Sequence, residues 1–238
     1  MTTPSWYLGH IPGPCPYLPE REWRLMLVDG GQLGPSYRQL LDEGFRRHGS
    51  HLYRPDCINC NACQVHRVPV DTFTMTRSQR RCWKKGQAQF DRVLTEPSCT
   101  GEKVALYNAY LAHQHGSKDE PIDEQRYHDF FVATCLPGRT LEVQLRERET
   151  GALAAVGIVD FFTDALSSVY CYFDPAWAKI SPGTYSALAE IDLARELGLR
   201  YYYMGFYIRG CAAMDYKANF SPCELRTMGE DGWRVVDG

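Results

Sequence analysis

An α+β fold is predicted for this chain by a switch in hydrophobic period near residue 140 and by the patterns on either side of it. Upstream, Val104, Tyr107 and Leu111, and again Tyr127, Phe130 and Phe131, recur at helical spacing. Downstream, Leu141, Val143 and Leu145 alternate with Glu142, Gln144 and Arg146, and two further apolar runs follow after short turns. At 238 residues, 44% apolar and 23% charged, the chain can build one large domain or two smaller ones, each with its own core.

Taken in order, the opening to about Arg24 is rich in Pro, Gly and aromatic residues, and its prolines predict an irregular packed segment. Pro35 to Glu43 is predicted as a helix begun by Pro35 or Ser36, with Leu40 and Leu41 inward and Gly44 as the stop. A loop through Cys57, Cys60 and Cys63 comes next, then a short strand from Arg67 to Phe73 and a helix from Thr76 to about Gln89. Turn residues cluster from Thr95 to Gly101, and a boundary there divides the chain into a smaller cysteine-containing basic domain, 1–100, and a larger domain, 101–238. Two helices open the larger domain, the second capped by Asp123. An antiparallel meander of three strands runs from Leu141 to Phe173, turning at Glu149 to Gly151 and at Thr163-Asp164. Pro182 to Leu197 is predicted as a helix stopped by Gly198, and Tyr201 to Ile208 as a strand. That order makes the larger domain acetyltransferase-like, the GNAT arrangement.

The N-terminus lacks a basic region followed by an apolar run, and no stretch of about 18 apolar residues occurs, so a cytoplasmic protein with no membrane partner is expected. Reduced thiols suit that compartment, and Cys82, Cys99, Cys135, Cys171 and Cys223 read as small buried hydrophobes. The net charge of −3 is unevenly spread. Gly44 to Arg92 holds ten Lys or Arg against three Asp or Glu, with Phe45, Tyr53, Phe73, Trp83 and Phe90 interleaved. Phosphates attract such cations and exposed bases stack on such rings, so the segment points to docking of a nucleic acid.

Cys57-x2-Cys60-x2-Cys63 offers three thiolates where zinc or an iron–sulfur cluster wants four ligands, and Cys15 and His66 are the candidates for the fourth. A ferredoxin run would need cysteine at position 67, where Arg67 stands. A metal site at Cys15, Cys57, Cys60 and Cys63 and a metal-free cluster of packed thiols both fit this pattern.

Several motifs in one order carry a resemblance: Cys15-Pro-Tyr-Leu-Pro-Glu-Arg21, Gly44-Phe-Arg-Arg47, Tyr53-Arg-Pro-x-Cys57-x2-Cys60-x-Ala-Cys63 and Arg77-Ser-Gln-Arg-Arg81, then Val159-Asp160, Phe173-Asp-Pro175, Gly183-Thr-Tyr185 and Gly210-Cys-x2-Met214-x-Tyr216-Lys217. Together they resemble the aminoacyl-tRNA–protein transferases, and within them the bacterial leucyl branch of the N-degron pathway of protein degradation. The resemblance implies a GNAT-like catalytic domain that moves leucine from Leu-tRNA to the α-amine of proteins beginning with Asp or Glu. Cys15-Pro-Tyr-Leu18, where longer eukaryotic arginyl enzymes have Cys-Gly-Tyr-Cys, favours the leucyl branch, whereas Thr76 replaces its usual serine and leaves Arg-tRNA as the alternative donor.

Ester aminolysis needs no ATP and no resident cofactor, since an α-amine of pKa about 7.7–8.0 is partly deprotonated at neutral pH. Asp160 is the expected holder of the incoming ammonium, or its proton relay, and Tyr216 is expected to orient the ester or stack on the terminal adenine. Arg77, Ser78, Gln79, Arg80, Arg81 and Lys217 are the expected contacts to the acceptor carboxylate or the tRNA. Two rivals stand beside this reading. A GNAT N-acetyltransferase would need backbone N–H groups for the CoA pyrophosphate, and the matching segment, Lys179 to Tyr185, contains Pro182 and only one glycine. A zinc-dependent RNA-binding module would leave the second half unexplained.

Overall fold

A computed structural model describes residues 4–115 and 120–237. It contains two sheets. The smaller has the order β1-β2-β4-β3 and consists of β1 (Tyr7–Pro14), β2 (Glu22–Asp29), β3 (Arg46–His48) and β4 (His51–Pro55). The larger takes up β5 (Gln64–Pro69), β6 (Phe90–Thr95), β7 (Thr140–Glu147), β8 (Leu153–Phe161), β9 (Ala165–Phe173), β10 (Tyr201–Tyr207), β11 (Cys223–Thr227) and β12 (Arg234–Val236). Its order is β12-β11-β5-β10-β9-β8-β7-β6. The helices are α1 (Gly30–Leu33), α2 (Tyr37–Asp42), α3 (Arg77–Gln89), α4 (Gly101–His115), α5 (Glu124–Tyr127) and α6 (Pro182–Glu196).

On one face of the large sheet, α6 buries Leu188, Ile191 and Ala194 against Val143, Val159 and Tyr202, with α3 packed beside it through Trp83. On the other, Leu106, Tyr107 and Leu111 of α4 cover Val156, Ile158 and Tyr172, while Tyr37 and Leu41 of α2 meet Ala165 and Tyr203. β9, α6 and β10 form a strand–helix–strand crossover whose two strands pair in parallel, and the expected GNAT-like α+β arrangement is present. Among the described residues no helix is long and apolar enough to cross a membrane.

Three expectations need correction. The opening is not irregular: β1 and β2 pair from Tyr7 to Glu22, and Pro12 and Pro14 are tolerated because β1 is the sheet edge, where one side of the ladder has no partner. The division at residue 100 does not follow the sheets, because β5 lies between β10 and β11, and β6 closes the far edge. The strand expected over Arg67–Phe73 runs instead over Gln64–Pro69, where β10 and β11 set its ladders; both faces of β7 are covered, so Glu142 and Gln144 are buried as well. Glu142 is 1% exposed and meets the Lys103 ammonium of α4 at 2.6 Å. The helix beginning at Thr76 is fixed as expected, by a capping box in which Thr76 Oγ1 accepts from the Gln79 backbone and the Gln79 side chain accepts from the Thr76 backbone.

Asp160, at the end of β8, lies under the small sheet. Arg47 Nε of β3 donates to Asp160 Oδ2 at 2.8 Å, with both side chains shut off from solvent, and Thr140 Oγ1 donates to Oδ1 at 2.8 Å. Removing one partner of such a pair strands a buried charge, at about 3–5 kcal/mol. Arg47→Ala and Asp160→Ala are each expected to lower unfolding free energy by that amount in urea titrations, and the double variant by clearly less than the sum. Additive losses would mean that the two groups do not interact.

Candidate active site

The parallel pairing of β9 and β10 holds for three residues only, Ala165–Ser167 against Tyr201–Tyr203, although the strands run on to Phe173 and Tyr207. Each carries an extra residue where the pairing stops. Ile158 and Val159 of β8 face Tyr170 and Ser168, so Val169 is bulged, and Tyr203 and Gly205 face Arg67 and His66 of β5, so Met204 is bulged. A bulge bends its strand and re-aims the neighbouring side chains, and here the two strands part. Gly205, at φ +86°, adopts a left-handed conformation that a side chain would oppose.

Cations stabilise this bent backbone. Lys217 Nζ donates to the carbonyls of Met204 and Phe206 at 2.8 and 2.6 Å, and Arg46 Nη2 to that of Gly205 at 3.2 Å. Burial, with Arg46 nearby, lowers the Lys217 pKa to about 7. Lys217 therefore serves β10 rather than an acceptor carboxylate. His66, at the same place, does not line the cysteine cavity. Burial and the Lys217 charge push its pKa down to about 3, so it is neutral.

Where the strands part lies a cavity of about 50 Å³ lined by Ser168, Cys171, Glu190, Tyr202, Met204 and Tyr216, among others. Glu190 projects into it from α6. Tyr202 Oη donates to Oε2 at 2.7 Å, Ser186 Oγ to Oε1 at 3.4 Å, and Ser168 also hydrogen-bonds the carboxyl. A Cβ on Gly157 would come within 2.3 Å of Oε1, so the strand behind Glu190 has room for it only as glycine. Burial raises the Glu190 pKa to about 7 despite these donors. Sequence patterning missed it because Glu190 sits on the apolar face of a helix, where period alone predicts packing.

Tyr216 does reach this cavity. It stands on the 3-10 turn Asp215–Asn219, is half exposed, and has its pKa raised to about 12 by burial and by Cys171 and Glu190. Tyr110 of α4 is close enough to Tyr170, Cys171 and Tyr216 for their charges to be felt, so a further tyrosine stands near the cavity. Cys171 is no nucleophile: burial and Glu190 raise its pKa to about 12, leaving the thiol protonated at neutral pH. Asp160, in its ion pair with Arg47, is not among the residues that line the cavity. Of the α3 group, Gln79 is buried and donates to the Asn219 carbonyl at 2.9 Å, tying the start of α3 to the turn that bears Tyr216. Arg77, Ser78, Arg80 and Arg81 are exposed.

The structure gathers all four of the predicted cysteines. Cys15, Cys57, Cys60 and Cys63 line one cavity of about 60 Å³, and burial together with the other thiols raises the Cys63 pKa to about 12. Four thiols are the donor set that zinc or an iron–sulfur cluster takes, yet among the described residues no group of three or more His, Cys, Asp or Glu is spaced to hold a metal ion. As arranged, the four side chains pack around one small cavity. Of the other cysteines expected inside, Cys223 is buried, and Cys82, Cys99, Cys135 and Cys171 are partly covered.

Fold and cleft are GNAT-like: a sheet opened between its two parallel strands, with a carboxyl group at the base of the gap. Residues 13–81 match the family described as arginine-tRNA-protein transferase, N terminus, and residues 102–227 match its C terminus. The aspartate/glutamate leucyltransferase of Hahella chejuensis is 37% identical over 94% of this chain and 94% of its own. That of Chromobacterium violaceum is 36% identical over 97% and 93%. Two solved structures share the fold alone: L-PGS from Bacillus licheniformis, at TM-score 0.51 and 12% identity over 71% of this chain and 61% of that one, and FemX, at 0.52 and 10% over 82% and 67%. The chain belongs to the arginine-tRNA-protein transferase family and is an aminoacyltransferase.

Glu190 makes stability depend on pH. Its folded pKa of about 7 stands above the reference value of 4.5, so its contribution is fully present below pH 4.5 and declines until about pH 7. The full change is about 3 kcal/mol. Measured by urea unfolding, the stability of wild type relative to Glu190→Gln is expected to fall by that order between pH 4.5 and pH 7.5. A constant difference would place the Glu190 pKa near its ordinary value.

Proposed function

We propose that the protein transfers leucine from Leu-tRNA to the α-amine of proteins that begin with Asp or Glu, with the reacting ester held in the gap between β9 and β10. The observation that carries this reading is Glu190, a carboxyl group with a pKa near 7 at the base of that gap. The amine nitrogen attacks the ester carbonyl carbon. A C–N bond forms, the bond from that carbon to the ribose oxygen breaks, and the proton lost by the amine passes to Glu190 and on to the departing oxygen. A base of pKa near 7 is matched to an α-amine of pKa about 7.7–8.0 at neutral pH. No thioester intermediate is involved, since the Cys171 thiol in the cavity is protonated. The aliphatic lining from Met204 and Ala187 suits leucine better than the arginine guanidinium, which favours Leu-tRNA over Arg-tRNA. Acetyl-CoA is disfavoured because α6 begins with Pro182, which removes a backbone N–H where a pyrophosphate would need one.

Labelled Leu-tRNA, Arg-tRNA or acetyl-CoA incubated with peptides beginning Asp, Glu or Ala tests the reading. Label is expected from Leu-tRNA on the Asp and Glu peptides only; label from acetyl-CoA, or equal label on Ala, would sink it. Glu190→Gln is expected to lower kcat by about 10²–10⁴-fold with little change in either KM, and to make the fall in rate below pH 7 shallower, leaving only the part due to protonation of the acceptor amine. An unchanged pH profile would remove Glu190 from the proton path. Metal analysis of the purified protein is expected to find at most one ion per chain. Any such ion should be lost in Cys60→Ser, and one retained there would lie outside the cysteine cavity.

A further inference from the structure

The 13-residue helix α3 carries Arg77, Arg80, Arg81, Lys84 and Lys85 and no acidic residue. These positions recur at i, i+3, i+4, i+7 and i+8, so they share one face of the helix, and all five are exposed. The opposite face is packed: Gly86 lies against the Tyr185 ring, Trp83 contacts the same ring at a centroid distance of 5.4 Å, and Cys82 and Gln79 point inward. Among the described residues none of the five cations pairs with a carboxylate, whereas Arg24, Arg38, Arg47, Arg67, Arg92 and Arg226 all do. A chain of net charge −3 thus keeps one helix face uniformly positive and unneutralised.

The stripe has a direction. Its start is tied to the turn that carries Tyr216, through Gln79 to the Asn219 carbonyl and through Phe73 stacked on Phe220 at 6.1 Å. From there it runs for about 12 Å, at 1.5 Å per residue from Arg77 to Lys85. We infer that this face of α3 holds the sugar–phosphate backbone of the tRNA acceptor arm, so that the aminoacylated 3′ end enters the cavity at Tyr216 while the stem runs on along Lys84 and Lys85. The inference rests on the transferase reading above. A polyanion is the partner that fits: the acceptor protein's first residue brings one carboxylate to a small cavity, and five exposed cations spread along a helix exceed what it can use.

Lys84 and Lys85 lie farthest along the stripe from Tyr216 and are the informative pair. Binding of deacylated leucine tRNA to the full chain, read by fluorescence anisotropy from 50 to 300 mM salt, is expected to weaken about tenfold in Lys84→Ala/Lys85→Ala. The slope of log K against log salt should become shallower by about 1.5, at roughly 0.7–0.9 for each phosphate no longer neutralised. Lys84→Arg/Lys85→Arg should restore both. At saturating Leu-tRNA, kcat and the peptide KM should be those of wild type, and an unchanged melting temperature shows that α3 is intact. Wild-type affinity and slope in the alanine pair would overturn the inference, and a rise in peptide KM with unchanged tRNA binding would assign the stripe to the acceptor protein instead. Absence of tRNA binding by wild type would instead overturn the transferase reading on which the inference rests.

Discussion

Arg47 and Asp160 share a hydrogen-bonded ion pair closed off from water, and the geometry of the site descends from it. Moving two charges out of water is expensive, so the pair adds little net stability, but neither partner can leave without stranding the other. The small sheet is therefore held in one place on β8. Neighbouring side chains on a strand point to opposite sides, so Arg46, next along β3, aims elsewhere. It lies over the rings of Tyr203 and Phe206 at 5.9 and 5.1 Å and donates to Gly205 of the bent strand. One dipeptide thus fixes the small sheet and reaches the strand that opens the cleft.

The cleft and its approach use opposite electrostatics. Inside, burial raises the pKa of Glu190 to about 7 and lowers that of Lys217, held on the bent backbone of β10, to about 7, bringing both within reach of neutral pH. Outside, the cations of α3 are hydrated and unpaired, and a charged partner can exchange counterions with them. On the reading proposed above, the phosphates of the donor stay at this outer surface and only its aminoacyl end enters the interior. Gln79 joins the two regions, since it caps α3 with one end of its amide and grips the Tyr216 turn with the other.

The parts of this fold that sequence patterning reads well are those whose partners are close in the chain. Thr76 and Gln79 mark a helix start, and the meander from Leu141 to Phe173 is one alternating strand and two apolar runs divided by short turns, so both are legible. β5 reads as a short strand, but with its bounds shifted to Arg67–Phe73, because its neighbours β10 and β11 lie far along the chain. The candidate site divides the same way. Tyr216 and the α3 group both stand in local motifs; Tyr216 lines the cavity, and Arg77, Ser78, Arg80 and Arg81 are exposed on α3. Asp160 ends an apolar strand as a lone acid, a pattern that suits a reactive carboxylate and a buried ion pair equally, and only Arg47, 113 residues away, decides between them. Glu190 has the converse ambiguity: its helix face predicts core, and the parting of two strands turns that core position into the wall of a cavity.

The place of β5 inside the large sheet bears on how the protein is made. A ribosome finishes β5 roughly 130 residues before the start of β10, an interval of about 7–26 s at 5–20 residues per second. Through that time Val65, Val68 and Val70 have no sheet to join, and the thiols of Cys57, Cys60 and Cys63 stand just upstream without their final cover. The amino-terminal half is thus a stretch of chain waiting for its other half. Fragments cut between the two family segments are expected to need each other to become folded at all.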